Sequence, residues 1–436
     1  MNSVNRRLVN MYELVSSVTN ACDLVSPELG NHHQQVAYLS YQIGTQIGLA
    51  QEQLKNLMLA GLLHDVGALS YNERHELVES EPPHAHDHAF RGAALLEKFP
   101  PLAEAAGIIR FHHIPWNDGE GNRFLGIKVP LLSHLVHLAD RTVVLIDKNK
   151  DVLRQVRGII ETIDSQRKTK FVPELVDALL AVSSKESIWL DLVNSSLCEI
   201  IRETMIFDTM DLNFDDTIKL TKIFASIIDF RSPFTAYHSA GVAKTAEKLA
   251  ELAGFSEEEC KMMLVAGYLH DLGKLAVKNE VLEKPGKLDA EEYNIIRSHS
   301  YYTYRLLQPI KAFEQLNVWA ALHHERLDGT GYPFQLSGDS LSLGARILTV
   351  ADVFTAITEN RPYRKGLDHK TALQILQQQV ADHALCPYVV SILAENIAEV
   401  NRVREEAQLE AGKEYNYYIG YSDIAAGKIP RDLVWS

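Results

Sequence analysis

One set of histidine and aspartate spacings occurs twice along this chain, and any fold that accommodates it must be built twice. His32 lies 32 residues before His64, and His238 lies 32 residues before His270. Each later histidine is followed directly by aspartate, as His64-Asp65 and His270-Asp271, at the end of an apolar run (KNLMLAGLL and KMMLVAGYL). From His88 to the pair His112-His113 is 24 residues, as it is from His299 to His323-His324. The closing separations, His112 to Asp140 and His323 to Asp352, are 28 and 29. Separations that stay in step while the intervening sequence diverges mark a duplicated domain. A length of 436 residues leaves room for that duplication. The expected division is 1–205 and 206–436, with the boundary in the stretch RETMIFDTMDLNFDD.

Periodicity predicts an all-α fold of two tandem helical domains. Segments 33–49, 52–66, 88–98, 102–113 and 131–146 carry apolar residues at i, i+3 and i+4, and their counterparts follow in the second half. Period-2 alternation and Asn-Gly hairpin signals are nearly absent. Breakers such as Pro100-Pro101 and Pro285-Gly286 fall between the helical stretches. Extra helices are expected over 150–205 and 371–410.

Composition removes several classes. Hydrophobic residues make up 46% and charged residues 23%, an ordinary balance for a chain with a core. Asp plus Glu number 57 against 43 Lys plus Arg, a net charge of −14, which disfavours long nucleic acids as partners. No run approaches the ~18 apolar residues of a membrane span, and the N-terminal stretch lacks an export signal, so a cytoplasmic protein without a membrane partner is expected. Cys22, Cys198, Cys260 and Cys386 form no CxxC pair and read as small hydrophobes of a reducing compartment.

Histidine and aspartate at the ends of buried helices are how a helical bundle builds a metal cluster in its core. Imidazole with carboxylate suits Fe, Mn or Zn, and the lack of cysteine ligands disfavours a structural zinc. The second repeat offers His238, His270, Asp271, His299, His323, His324 and Asp352, more donors than one tetrahedral ion uses. They suit two ions sharing a carboxylate, for which Asp271 is the candidate. Ions about 4 Å apart activate water at neutral pH and clamp a phosphoryl oxygen. The first repeat keeps the corresponding set His32, His64, Asp65, His88, His112, His113 and Asp140, room for one or two more ions. The repeat thus assigns ten of the 18 histidines. His33, His75, His84, His86, His134, His137, His369 and His383 read as core or surface residues, with His84 and His86 as rivals to His88.

These motifs carry a resemblance. His270-Asp271-Leu272-Gly273-Lys274, followed by HHERLDGTGYP from His323 to Pro333, resembles the signature of the HD-GYP family, metal-dependent phosphodiesterases of cyclic dinucleotides within the HD superfamily. The likeness covers about 215–400, and the first repeat resembles a plain HD domain. It implies that the seven residues of each set are metal ligands, with two divalent ions, Fe or Mn, in the second repeat. It further implies that Asp271 is catalytic as the bridging ligand and that Lys274 contacts the scissile phosphate. Spacing agrees, since His270 and Lys274 stand at i and i+4 and would share a helical face. Arg361, Arg364 and Lys365, in the basic segment RPYRKG, would hold the other phosphate, and Tyr332 would line the substrate site.

The tandem order resembles family members that cleave 3′,3′-cGAMP, which sets the preferred substrate above c-di-GMP; the expected product is a 5′-phosphorylated linear dinucleotide. Phe234 stands where some members carry a Glu that supports a third metal, hence two metals, and Thr355 stands where Asp is common. In the first repeat Ala68 replaces the lysine and no Gly-Tyr-Pro follows HHIPWNDGEGN. One reading of its complete ligand set is a second phosphohydrolase, a 5′-nucleotidase acting on the linear product. The alternatives are a regulatory or dimerising domain, with a homodimer as a compatible assembly, and a non-catalytic nucleotide receptor. Intact Lys274 and the full Gly-Tyr-Pro string weigh against the receptor.

Overall fold

The computed structural model describes residues 9–24, 30–68, 70–79, 81, 85–204, 211–231, 237–282, 284, 286–360 and 365–425. Helices dominate among them. Strand is confined to two antiparallel pairs of two residues each, Val9–Asn10 with Asp211–Leu212 and Arg123–Phe124 with Ile127–Lys128. The chain forms two compact units, one of Cys22–Met210 with Tyr418–Ser436, the other of Met1–Ala21 with Asp211–Tyr417.

The units differ from a division at 205/206 in their ends, which are exchanged. The helix Met11–Asp23 belongs, as far as Ala21, with the later unit. Leu14, Val15 and Val18 on this helix are fully buried, and the Ser17 hydroxyl donates to the Leu306 carbonyl at 2.8 Å. Periodicity identifies an apolar face; it carries no information on which neighbour covers it.

Each unit is organised around a helix that is apolar on nearly every side. In the first this is Gln51–Leu63, buried from Asn56 to Leu63, and in the second Glu257–Leu269, buried from Met262 to Leu269. A helix that is apolar all round belongs at the centre of a bundle rather than on its surface. The helix Glu257–Leu269 starts on a capping box, with Ser256 and Glu259 satisfying each other's backbone N–H groups. It packs against His238–Leu252, which also packs on Leu343–Thr358. In the first unit Gln51–Leu63 packs against His32–Gln46, and the latter on Leu131–Val144. The helices expected over 33–49, 52–66 and 131–146 are thus present, starting within one residue of expectation and ending two or three residues early. The expected run over 371–410 is three helices, His369–Ala381, Pro387–Glu395 and Ile397–Ala425, broken where Pro387 removes a backbone donor.

The duplication reaches back beyond the first histidine. Asp23 and Asp229 each end a helix nine residues before His32 and His238. Each anchors the residue after that histidine: Asp23 bonds the Nδ1 of His33, and Asp229 accepts from the N–H and hydroxyl of Ser239, both at 2.9 Å.

Candidate metal centres

Both central helices end immediately before their His-Asp pair, so the pair sits where the chain turns out of the core. Glu257–Leu269 gives way at His270 to a 3₁₀ turn, Leu272–Ala276. This overturns the expected geometry of one α-helical face shared by His270 and Lys274. In a 3₁₀ turn residues i and i+3 align. Accordingly Lys274 Nζ lies 2.5 Å from Asp271 Oδ2. The turn also needs its glycine. A Cβ on Gly273 would stand 2.0 Å from the carbonyl oxygen of His299, and one on Gly67 would stand 2.1 Å from that of His88. The invariant feature of both repeats is thus a His-Asp turn pressed against the helix that carries the next histidine.

In the second unit all seven candidate ligands converge. His238, His270 and Asp352 form one group, and His299, His323 and His324 another. Asp271 faces both: its Oδ2 is 3.2 Å from His270 Nε2, and its Oδ1 is 3.4 Å from His299 Nε2 and 4.0 Å from His323 Nε2. Asp352 Oδ1 lies 3.2 Å from His238 Nε2, while its Oδ2 lies 3.9 Å from His324 Nδ1. Three imidazoles are fixed by backbone carbonyls: Nδ1 of His270, His299 and His323 donates to Gly267, Ile296 and Ala320 at 2.6–2.7 Å. That bond selects the tautomer with its lone pair on Nε2, turned into the centre.

The first unit repeats this plan. Asp65 Oδ2 lies 3.4 Å from His64 Nε2, and its Oδ1 lies 3.0 Å from His88 Nε2 and 3.8 Å from His112 Nε2. Asp140 Oδ1 is 3.4 Å from His32 Nε2. His64 and His112 donate through Nδ1 to the carbonyls of Gly61 and Ile109. Of the two rivals to His88, His86 packs against Phe124 with ring centroids 5.6 Å apart, and His84 lies outside the described residues.

Electrostatics leave these donors in the form a metal requires. Burial lowers the pKa of His64 and His299 to about 3 and that of His324 to about 4, and holds His113 and His323 well below the usual imidazole value. Burial opposes ionisation of Asp65 and Asp271, but the surrounding imidazoles outweigh it and hold both carboxyls well below their usual range, with Lys274 adding its charge at Asp271. The first histidine of each set is the exception. Burial works against the charge on His238, yet Glu359 and Asp352 overcome it and raise the pKa to about 10, and Asp140 and Asp65 likewise raise that of His32 against its burial, so a metal must displace those protons. Buried donor atoms without a hydrogen-bond partner mark the centres: His270 Nε2 and Asp271 Oδ1 in one, His113 Nε2 and Asp140 Oδ1 in the other. Orphaned buried atoms of this kind are costly unless a ligand satisfies them, so the residues present fit metal ions.

Several contributors were not legible in the spacing. Glu359 is 1% exposed and bonds His238 Nδ1 at 3.0 Å. Glu325, in the string after His323-His324, is also 1% exposed; its carboxylate accepts from the N–H of Phe334 and Leu336, closing the Gly-Tyr-Pro loop on itself. The Tyr332 ring then leans on His324 at 4.8 Å. In the first unit the buried His137 joins Glu81 and His113: one Glu81 oxygen receives His137 Nε2 and His113 Nδ1, each at 2.7 Å, and Lys170 pairs with the other. A carboxylate between two distant histidines has no sequence periodicity to reveal it. Arg141 grips Asp140 Oδ2 at 2.8 Å and places a cation beside a centre that has Ala68 where the other has Lys274. Lys365 is exposed; Arg361, Arg364 and Phe234 lie outside the described residues. Cys22, Cys260 and Cys386 are buried, while Cys198 is half-exposed.

Comparison with known proteins agrees with this plan. HD-domain models match residues 29–145 and 222–385. The chain is 31% identical over 407 residues to 3′3′-cGAMP-specific phosphodiesterase 1 of Vibrio cholerae, covering 91% of this chain and 94% of that protein. It is 41% identical over 157 residues to the cyclic di-GMP phosphodiesterase response regulator RpfG of Xanthomonas campestris, covering 36% of this chain and 42% of that protein. In fold it is similar to the crystal structure of the V. cholerae phosphodiesterase V-cGAP3, with a TM-score of 0.63 at 24% identity, over 89% of this chain and 98% of that one. Two families of spacing, two buried donor sets and these matches lead to one conclusion: the chain belongs to the HD-domain family of metal-dependent phosphohydrolases and carries two such domains in tandem.

Proposed function

We propose that the centre of the second unit hydrolyses a cyclic dinucleotide, 3′,3′-cGAMP before c-di-GMP, to a 5′-phosphorylated linear dinucleotide. The observation that carries this reading is the two-sided Asp271 between two histidine groups, with Lys274 beside it. His238, His270 and Asp352 would hold one divalent ion and His299, His323 and His324 the other, with Asp271 shared; iron or manganese suits the donors. When bound, such a pair supplies Lewis-acid activation of the phosphate ester and of the attacking water.

The chain's own groups position the reaction. Burial opposes the charge on Lys274, but Asp271 and Asp352 outweigh it and raise its pKa, so the ammonium persists at neutral pH and can take a nonbridging phosphate oxygen. Charge on those oxygens grows in the transition state, where a preorganised cation stabilises it most. Water oxygen joins phosphorus, the 3′ oxygen departs as the hydroxyl, and the phosphate stays on the 5′ side. Tyr332 and the basic residues Arg361, Arg364 and Lys365 are proposed substrate contacts.

For the first unit the same reading assigns removal of the 5′-phosphate from that product. Its support is a complete donor set with Arg141 and Lys170, rather than a lysine in the His-Asp turn, as the nearby cations. No helix among the described residues is long and apolar enough to cross a membrane, and a cytoplasmic setting fits the substrate class. Product analysis over a panel of cyclic dinucleotides, with wild type, Asp271→Ala and Asp65→Ala, tests both assignments. Asp271→Ala is expected to abolish ring opening, and Asp65→Ala to let the 5′-phosphorylated intermediate accumulate. Ring opening by Asp271→Ala refutes the first assignment, and continued dephosphorylation by Asp65→Ala refutes the second.

A further inference from the structure

The helix Ala290–Leu307 carries His299 into the second centre, and it also carries Tyr293, Arg297, Tyr301 and Arg305 at four-residue intervals. Residues four apart share a helical face. Arg305 is engaged locally, donating to the Tyr301 hydroxyl at 3.0 Å and to Gln308 at 3.1 Å. Arg326, across the Gly-Tyr-Pro loop, is paired with Asp328 at 2.9 Å. Arg297 differs from both. Its guanidinium lies 4.9 Å from the centroid of the Tyr332 ring and 5.8 Å from that of Tyr293. Among the described residues it makes no hydrogen bond or ion pair. Tyr332 in turn contacts His324 at 4.8 Å and lies 6.5 Å from His299. The guanidinium is therefore one ring removed from the ligand cluster, half-buried, and without a carboxylate.

Aromatic rings on its faces fix the plane of a guanidinium and leave its edge N–H donors free. Those donors match the oxygens of a phosphate in a forked, charge-assisted pair. A cyclic dinucleotide has two phosphodiesters, and only one can occupy the centre beside Lys274. We propose that Arg297, held by Tyr332 and Tyr293, is a further residue of the anion subsite for the phosphodiester that is not being cleaved, in addition to the basic residues named above. The proposal rests on the cyclic-dinucleotide reading above. It also gives Tyr332 a role in orienting the guanidinium as well as lining the site.

The test compares Arg297→Gln and Arg297→Lys with wild type on a cyclic dinucleotide and on bis(p-nitrophenyl) phosphate, which has a single phosphodiester. Arg297→Gln is expected to raise KM for the cyclic dinucleotide about tenfold or more, the scale of a lost charge-assisted hydrogen bond, with kcat within about twofold. Turnover of the single-phosphate ester and the bound metal content should match wild type. Arg297→Lys, which keeps the charge but not the fork, should fall between. An unchanged KM, or an equal loss on both substrates, overturns the proposal. Failure of the wild type to open any cyclic dinucleotide refutes the function and this subsite with it, a result distinct from a wild type that works and a variant that matches it.

Discussion

At the scale of single residues, the centres depend on groups that present lone pairs and on others that turn them. Asp271 is expected to be irreplaceable, since its two oxygens face the two histidine groups and one of them also holds Lys274. In Asp271→Ala, metal content by elemental analysis and phosphodiester turnover should fall together; retained metal with full turnover would exclude it as the shared ligand. Glu359 acts one step out, through His238. Removing such outer partners typically weakens metal binding by about 10–100-fold. Glu359→Gln is therefore expected to shift metal titrations in that direction while leaving the fold intact, measurable with a chelator of known affinity. Asp229 carries a different signature. Burial raises its pKa from 3.8 to about 7, with Asp271 adding to the shift and His238 and Ser239 opposing it. Between those values the native state keeps a proton that the unfolded chain has lost, so stability falls as pH rises through the window. Asp229→Asn keeps an acceptor for Ser239 and has no proton to lose. In chelator-treated protein its melting temperature should decline less between about pH 4 and pH 7 than that of wild type. An unaltered slope would show that Asp229 titrates normally.

At the scale of elements, the His-Asp turn and the loop after the paired histidines distinguish the two units. Gly273 and Gly67 admit a helix carbonyl at a distance no Cβ tolerates. Gly273→Ala should push the turn away from His299, costing about 1–3 kcal/mol as overpacking does, with a larger loss of bound metal than of helical content. Circular dichroism with metal analysis separates the two effects, and unchanged metal would show that the turn has slack. The loops diverge for a visible reason. After His324 the chain is closed by Glu325, whereas after His113 it is held from outside, with Trp116, Asn117 and Asp118 donating to the carbonyls of Lys170, Thr169 and Lys168. The helix order and the His-Asp motif were legible because both follow from short-range periodicity. The 3₁₀ turn was not, because HDLGK reads equally well as the last turn of an α-helix until its packing against His299 is known.

At the scale of the whole molecule, the exchanged ends make the second unit dependent on the start of the chain. The helix Met11–Asp23 contributes Leu14, Val15 and Val18 to buried positions, and Val9–Asn10 pairs with Asp211–Leu212. A fragment of 206–436 is therefore expected to melt well below the full chain and to aggregate, despite holding every candidate ligand of its centre. Restoring the first 21 residues as a fused segment should recover stability. Equal melting of fragment and full chain would show that the segment is dispensable.

By itself the sequence determined the duplication, the helical class, fourteen candidate donor positions and their resemblance to one family, because spacing, residue type and apolar runs are local properties. The tertiary structure alone decided which atoms meet. It set Asp271 between two groups, brought Glu81 to His113 and His137, put Glu359 behind His238, and gave the first helix to the later unit. Those contacts join residues tens to hundreds of positions apart, and the free energy that selects them comes from burial and hydrogen bonding in the assembled core, to which sequence distance is indifferent.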